Sequence, residues 1–172
     1  MTHALPHAAA PAPFAEELST RFREAMASYP SGVTVVTTTD DQGAWRGFTA
    51  TSFCSLSVDP PLVLVCLART AQCHTAFAKA DSWVVQVVPH RRADLATRFA
   101  TRGVDKFGGG DFTVTAAGHP VFEEAAAVME CESYVRYDVA DHTILVGRVR
   151  DVRVREVAPA VYFRRGFHAL PD

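Results

Sequence analysis

Apolar positions change period early in the chain. From Glu16 to Tyr29, Leu18, Phe22, Ala25, Met26 and Tyr29 recur at helical spacing among charged residues, which predicts a helix stopped by Pro30 and Gly32. GVTVVTTT is β-branched almost throughout and predicts a strand. The turn-like run Asp40-Asp41-Gln42-Gly43 then returns the chain through Trp45 and Phe48, completing a hairpin. After Pro60-Pro61, which cannot donate ladder hydrogen bonds, residues 62–67 read as a buried strand.

Residues 72–80 predict a short helix, WVVQVV a strand, and residues 91–100 a helix buried through Leu95 and Phe99. Gly108-Gly109-Gly110 reads as a loop. Residues 128–139 and 143–157 are long and β-rich, with Val149, Val152 and Val154 in partial alternation with arginines. Residues 160–163 predict the last strand, with Arg165-Gly166 as a turn. Many strands and few short helices predict a mainly β protein with short α-helices, a barrel or sandwich. Strand and helix do not alternate as in a doubly wound parallel sheet, and no internal repeat is found.

Composition narrows the class. With 172 residues, 48% of them hydrophobic, the chain has the length and core material of one domain. Its net charge of −2 gives no electrostatic footprint for nucleic acid or an anionic membrane. No apolar run reaches the roughly 18 residues of a membrane helix. The Ala/Pro-rich start reads as a flexible tail over residues 1–15, leaving residues 16–172 as the single domain. Cys54, Cys66, Cys73 and Cys131 lie in or beside apolar stretches without metal or redox spacing, which predicts buried, reduced thiols and a cytoplasmic location.

Three constellations carry chemistry. GFTATSFCSLSVDPPLVLVC sets small hydroxyl residues against a core strand, leaving room for a flat ring to approach the main chain. The same residues also suit a strand end satisfying its own turn. Asp141-His142 precedes an apolar strand; it is either a turn or a histidine placed for a polar ligand group. Arg69, Thr70, Cys73, His74 and Thr75, with Arg102 and Lys106, suit a phosphate, or else helix capping by Thr70 and solvated charge. No GxGxxG, P-loop or GxSxG motif is present, and scattered histidines argue against a metal.

Taken in order, FREAMASYPSGVTVVTT, GFTATSFCSLSVDPPLVLVCL, FATRGVDKFGG and ADHTILVGRV resemble the flavin reductase family, the small component of two-component flavin monooxygenases. The resemblance runs from about Phe22 to Phe167. It implies a Greek-key, FMN-binding split β-barrel, usually a homodimer, that uses NADH or NADPH to reduce FMN or FAD. A separate flavin-dependent monooxygenase would receive the reduced flavin.

Carried over by residue, the resemblance sets Thr49, Ala50, Thr51, Ser52 and Phe53 along the isoalloxazine edge, where hydroxyls and N–H groups meet developing negative charge. Ser55, Cys66, Leu67 and Ala68 would lie near the ring or ribityl chain, Arg69 to Thr75 at the phosphate, and Phe99, Lys106 and Phe107 on the flavin side. His142 matches the histidine associated with the nicotinamide. Three departures stand out: Ala140 where the family commonly has Gly, Gln86 where it often has Asn, and a looser phosphate segment, which leaves FMN and FAD both open. A non-reducing flavin carrier or sensor on the same barrel is the alternative.

Overall fold

Strands form in the β-branched runs TVVTTT and WVVQV. The structure is a computed structural model that describes residues 12–170, with side chains from Glu16 onward. Helix α1 (Ala12–Ala27) precedes β1 (Ser31–Gly32), β2 (Thr34–Thr39), β3 (Trp45–Ala50), β4 (Cys54–Val58) and β5 (Pro61–Ala68). Then come α2 (His74–Lys79), β6 (Ser82–Val87), a 3-10 turn at His90–Arg92 and α3 (Ala93–Ala100). The hairpins β7 (Phe112–Val114) with β8 (Pro120–Phe122), β9 (Ala127–Val139) with β10 (His142–Val154), and β11 (Val161–Phe163) with β12 (Gly166–His168) complete the described chain.

Seven strands form one antiparallel sheet in the order β3-β2-β6-β9-β10-β5-β4. Its ends curl toward each other, because Phe48 of β3 and Val63 and Val65 of β5 pack in one inner cluster with Val36, Trp83 and Leu145. Phe77 of α2, fully buried, joins that cluster. Between β3 and β4 no ladder forms, so the barrel is split there. The strand order and hairpins agree with the expected Greek-key split β-barrel.

On the outer face α3 and the β7–β8 hairpin cover a second cluster built on Val35, Val84, Leu95, Phe99 and Phe122. Two glycines permit the close approaches. A Cβ on Gly47 would lie 2.6 Å from the Phe99 ring and 3.0 Å from the Val36 carbonyl, so only glycine lets α3 rest on β3. A Cβ on Gly147 would lie 2.4 Å from the buried Trp83 ring, beside a register shift in β10. Gln86, the departure on β6, is fully buried: its Nε2 donates to Thr37 Oγ1 (2.9 Å), and its Oε1 accepts from the Phe122 N–H (2.8 Å). It ties β8 to the sheet.

Several expectations change. Helix α1 starts at Ala12, inside the segment read as a tail; residues 1–11 lie outside those described. Its stripe of Leu18, Phe22 and Met26 is exposed among the described residues. Strands β4, β7, β8 and β12 are short and lacked a period long enough to read. Cys54 is exposed on β4, whereas Cys73 and Cys131 are buried as expected; all four thiols are free. Burial, then the neighbouring Glu130, pushes the Cys131 thiol up to about 12, so it is inert. Among the described residues, no helix is long and apolar enough to cross a membrane.

Candidate active site

The split between β3 and β4 opens into a cleft of about 600 Å³. Its walls come from β3, the end of β5, the start of α2, the last turn of α3 and residues 102–107, with His142 at the rim. The register explains the opening. Cys54 pairs with Leu64, so the next rung would set Ser52 against Cys66. There the Ser52 hydroxyl replaces the backbone: Oγ accepts from the Cys66 N–H (3.0 Å) and donates to its carbonyl (3.3 Å).

Beyond Ser52 the edge of β5 is bare. The Arg69 N–H donates to the Asp141 carbonyl (2.9 Å), so odd-numbered residues here bond toward β10 and even-numbered ones face the split. Ala68 therefore offers its N–H to the cleft. Thr51 and Ser52 also line it, and among the described residues their backbone N–H groups have no acceptor. Thr49 differs from expectation: its hydroxyl already donates to the Ala96 carbonyl (2.6 Å), fastening α3 to β3. Of the three hydroxyls in the segment, only that of Thr51 is left without a protein partner among the described residues.

Aromatic rings set the opposite wall. Phe107 packs edge-on against Trp45 (5.5 Å) and Phe99 (5.1 Å), wedging residues 102–107 against β3 and α3. Arg92 (3.0 Å) and Arg98 (3.1 Å) clasp Asp111 at the end of this loop. Burial opposes that carboxylate, but hydrogen bonds from the two arginines outweigh it and hold its pKa below the usual value. Lys106 enters the cleft half-buried, donates to the Phe99 carbonyl and lies 5.8 Å from the Phe99 ring centre. Among the described residues no carboxylate reaches ion-pair distance of it. Burial lowers its pKa, and the nearby Cys73 partly offsets that. An unpaired cation with spare protons is a site for an anionic or electron-rich ligand edge.

His142 stands at the first position of β10. Its Nδ1 lies 2.8 Å from Asp141 Oδ1, a bond that lowers the Asp141 pKa. Ala140 keeps the two-residue turn by adopting φ of 50°, a region that favours glycine. Behind His142, Thr143 is buried, donates to Asp138 Oδ1 (2.6 Å) and accepts from His74 Nε2 (2.9 Å), so α2 and the hairpin are joined.

Thr49, Ala50, Thr51, Ser52, Cys66, Leu67, Ala68, Phe99, Lys106, Phe107 and His142 are brought together in the cleft. Four expected residues are not. Phe53 turns down against the inner cluster, and Ser55 is exposed on β4 opposite Val63. The Arg69 side chain is exposed, its backbone closing the β5–β10 edge, and Thr75 faces a neighbouring hollow. Thr70 does not cap α2 with its side chain; its carbonyl and hydroxyl accept from Arg102 (3.2 and 3.4 Å). Trp45, Arg46 and Gln72 line the cleft and were missed. Trp45 and Arg46 share β3 with the hydroxyl segment, which was the available signal.

The family described as flavin reductase like domain matches residues 26–171. The chain is 49% identical over 149 residues to the actinorhodin polyketide dimerase of Streptomyces coelicolor, covering 86% of this chain and 84% of that protein. It is 40% identical over 150 residues to the NADH:riboflavin 5'-phosphate oxidoreductase of Streptomyces pristinaespiralis, covering 86% and 85%. The NADH:FAD oxidoreductase of Streptomyces globisporus, solved with NAD and FAD fragments, superposes with a TM-score of 0.85 at 30% identity over 90% of this chain and 94% of that one. A match over most of the chain, in sequence and in fold, assigns this protein to the flavin reductase family.

Proposed function

We propose that this chain is an NAD(P)H:flavin oxidoreductase, reducing FMN or FAD in the cleft between β3 and β5 and passing reduced flavin to a separate monooxygenase. One observation carries the reading: an aromatic-walled cleft faces open backbone donors at Thr51, Ser52 and Ala68 and the unpaired cation of Lys106. These groups fit a planar heterocycle with a polar edge.

Bound flavin would supply the hydride-accepting chemistry. The protein's part is orientation and electrostatics. Thr51, Ser52 and Ala68 hold the polar edge through N–H donors that need no reorganisation, and Lys106 meets negative charge gathering there. Phe99 and Phe107 keep water from that wall. His142, braced by Asp141, orients the nicotinamide at the rim. Arg102, beside Thr70, is positioned for a phosphate.

A homodimer belongs to the same proposal. Leu18, Phe22 and Met26 of α1 are about half exposed or more (54, 62 and 49%), and Tyr134, Tyr137 and Val139 lie bare on β9 close to the His142 turn. A second copy would cover such surface. The four free thiols suit a reducing cytoplasm.

The test mixes the protein with NADH or NADPH and FMN or FAD and follows nicotinamide absorbance. The reading expects flavin-dependent oxidation in at least one combination. Flavin binding without oxidation in all four would identify a carrier instead. Light scattering at micromolar protein should give twice the chain mass.

A further inference from the structure

The cleft does not end at Arg46 and Gln72. Both residues also line a second hollow of about 470 Å³, bounded by Asp41 and Gln42 of the β2–β3 turn and by Thr75 and Lys79 of α2. We propose that this annex receives the adenosine of FAD, with Arg46 at the pyrophosphate, so that the protein binds FAD in preference to FMN. The proposal rests on the flavin reading of the main cleft.

The chemistry of the annex selects the occupant. Arg46 stands at the junction, its Nε donating to Asp40 Oδ2 (2.8 Å). Asp40 also accepts from the N–H groups of Ala44 (2.8 Å) and Gln42 (3.0 Å). It is fully engaged and acts as the anchor that orients the guanidinium. The terminal nitrogens of Arg46 stay available for a phosphate bridging the two hollows. Deeper in the annex the balance turns acidic, with Asp40, Asp41 and Asp81 against Arg46 and Lys79. A free phosphate is disfavoured there; a neutral nucleoside rich in donors is not. Asp41 is largely exposed and, among the described residues, meets only Lys79, at 3.9 Å, so its carboxylate remains free to accept from a ribose diol. Gln42 offers both an amide donor and an acceptor for a base edge. Thr75, expected at the cofactor yet absent from the main cleft, lies on this wall.

FMN would occupy the main cleft alone. The additional nucleotide of FAD must extend out of it, and the annex is the hollow that shares Arg46 and Gln72 with its wall. Two or three added hydrogen bonds correspond to roughly tenfold in affinity.

Titrating flavin-free protein with FAD and with FMN, read by flavin fluorescence, tests this. The wild type should bind FAD about tenfold tighter than FMN. Thr75→Trp, at an exposed helical position, fills the annex and should bring FAD to the FMN value, leaving FMN within about twofold. Asp41→Ala adds no bulk and should weaken FAD alone by roughly threefold. Equal affinities in the wild type, or equal weakening of both flavins by Thr75→Trp, would overturn the annex assignment. So would a raised KM for NADH in Thr75→Trp with FAD binding intact, which would give the hollow to the nicotinamide dinucleotide. Failure of either flavin to bind at all is a different result: it overturns the flavin reading of the cleft itself, and the annex with it.

Discussion

Two hydroxyl-rich stretches face each other across the β2–β3 hairpin and use their polar groups in opposite ways. In β2 every threonine hydroxyl donates to a protein carbonyl: Thr34 to Ala50 (3.0 Å), Thr37 to Pro120 (2.6 Å), Thr38 to Ser82 (2.8 Å) and Thr39 to Gly118 (2.8 Å). In residues 49–52, Thr49 and Ser52 are likewise engaged, but the Thr51 hydroxyl, two backbone N–H groups and the edge of β5 are left open beside Lys106. Composition does not separate the two. What separates them is the place where β4 stops pairing, since an edge without a neighbouring strand offers its donors to a ligand.

That contrast can be broken at either end, and the largest effect is expected at the rim. His142→Ala should lower kcat/KM for NADH by roughly 100-fold while flavin affinity holds, because orientation rather than binding of flavin is lost. Unchanged NADH kinetics would remove His142 from the site. Thr37→Val should do the reverse: flavin binding persists, but stability to urea falls by about 1–3 kcal/mol, because the buried Pro120 carbonyl and the Gln86 amide lose a partner.

Lys106→Met should weaken flavin by roughly tenfold without lowering the melting temperature. Burial depresses the Lys106 pKa in the folded state, so its charge opposes folding below that pKa and the penalty fades as pH rises toward the unfolded value of 10.5. Removing the cation relieves the penalty. A large drop in melting temperature would mark Lys106 as a structural residue.

A smaller effect concerns pH. His119 is buried and neutral: Nδ1 accepts from the Thr39 N–H (3.2 Å), so Nε2 carries the proton and donates to Ser82 Oγ (2.6 Å). Burial lowers its pKa below the usual 6.5, so the stability it contributes is complete above that value and is lost as pH falls through the window beneath it. His119→Gln should flatten that part of the stability curve. Smallest of all, Ala140→Gly should stabilise the protein by about 0.5–1 kcal/mol by relieving the positive φ, read as a higher urea midpoint.

The sequence made the scaffold legible wherever a period was long enough. β-Branching marked β2, β6, β9 and β10, and the Asp-Asp-Gln-Gly turn marked the β2–β3 hairpin. The segment from Gly47 to Ser52 was also recognisable, because small residues beside a core strand leave room for a ring. Which of its groups are free was not legible. That depends on the Ala96 carbonyl reaching Thr49 and on Ser52 standing in for a missing rung, both set by packing across the fold. Phe53, Ser55 and Arg69 lie outside the cleft for a related reason: Phe53 packs on the inner cluster, Ser55 is already paired with Val63 in β4, and the Arg69 backbone closes the β5–β10 edge. Gln72, which with Arg46 lines both hollows, carries no motif at all.

On this view the open donors and the cation of the β3–β5 split hold flavin where a nicotinamide can reduce it. Anaerobic stopped-flow mixing of NADH with protein-bound flavin measures this most directly. First-order loss of flavin absorbance is expected, with a rate that saturates in NADH and falls steeply in His142→Ala. Bound flavin that keeps its absorbance in the presence of NADH would contradict it.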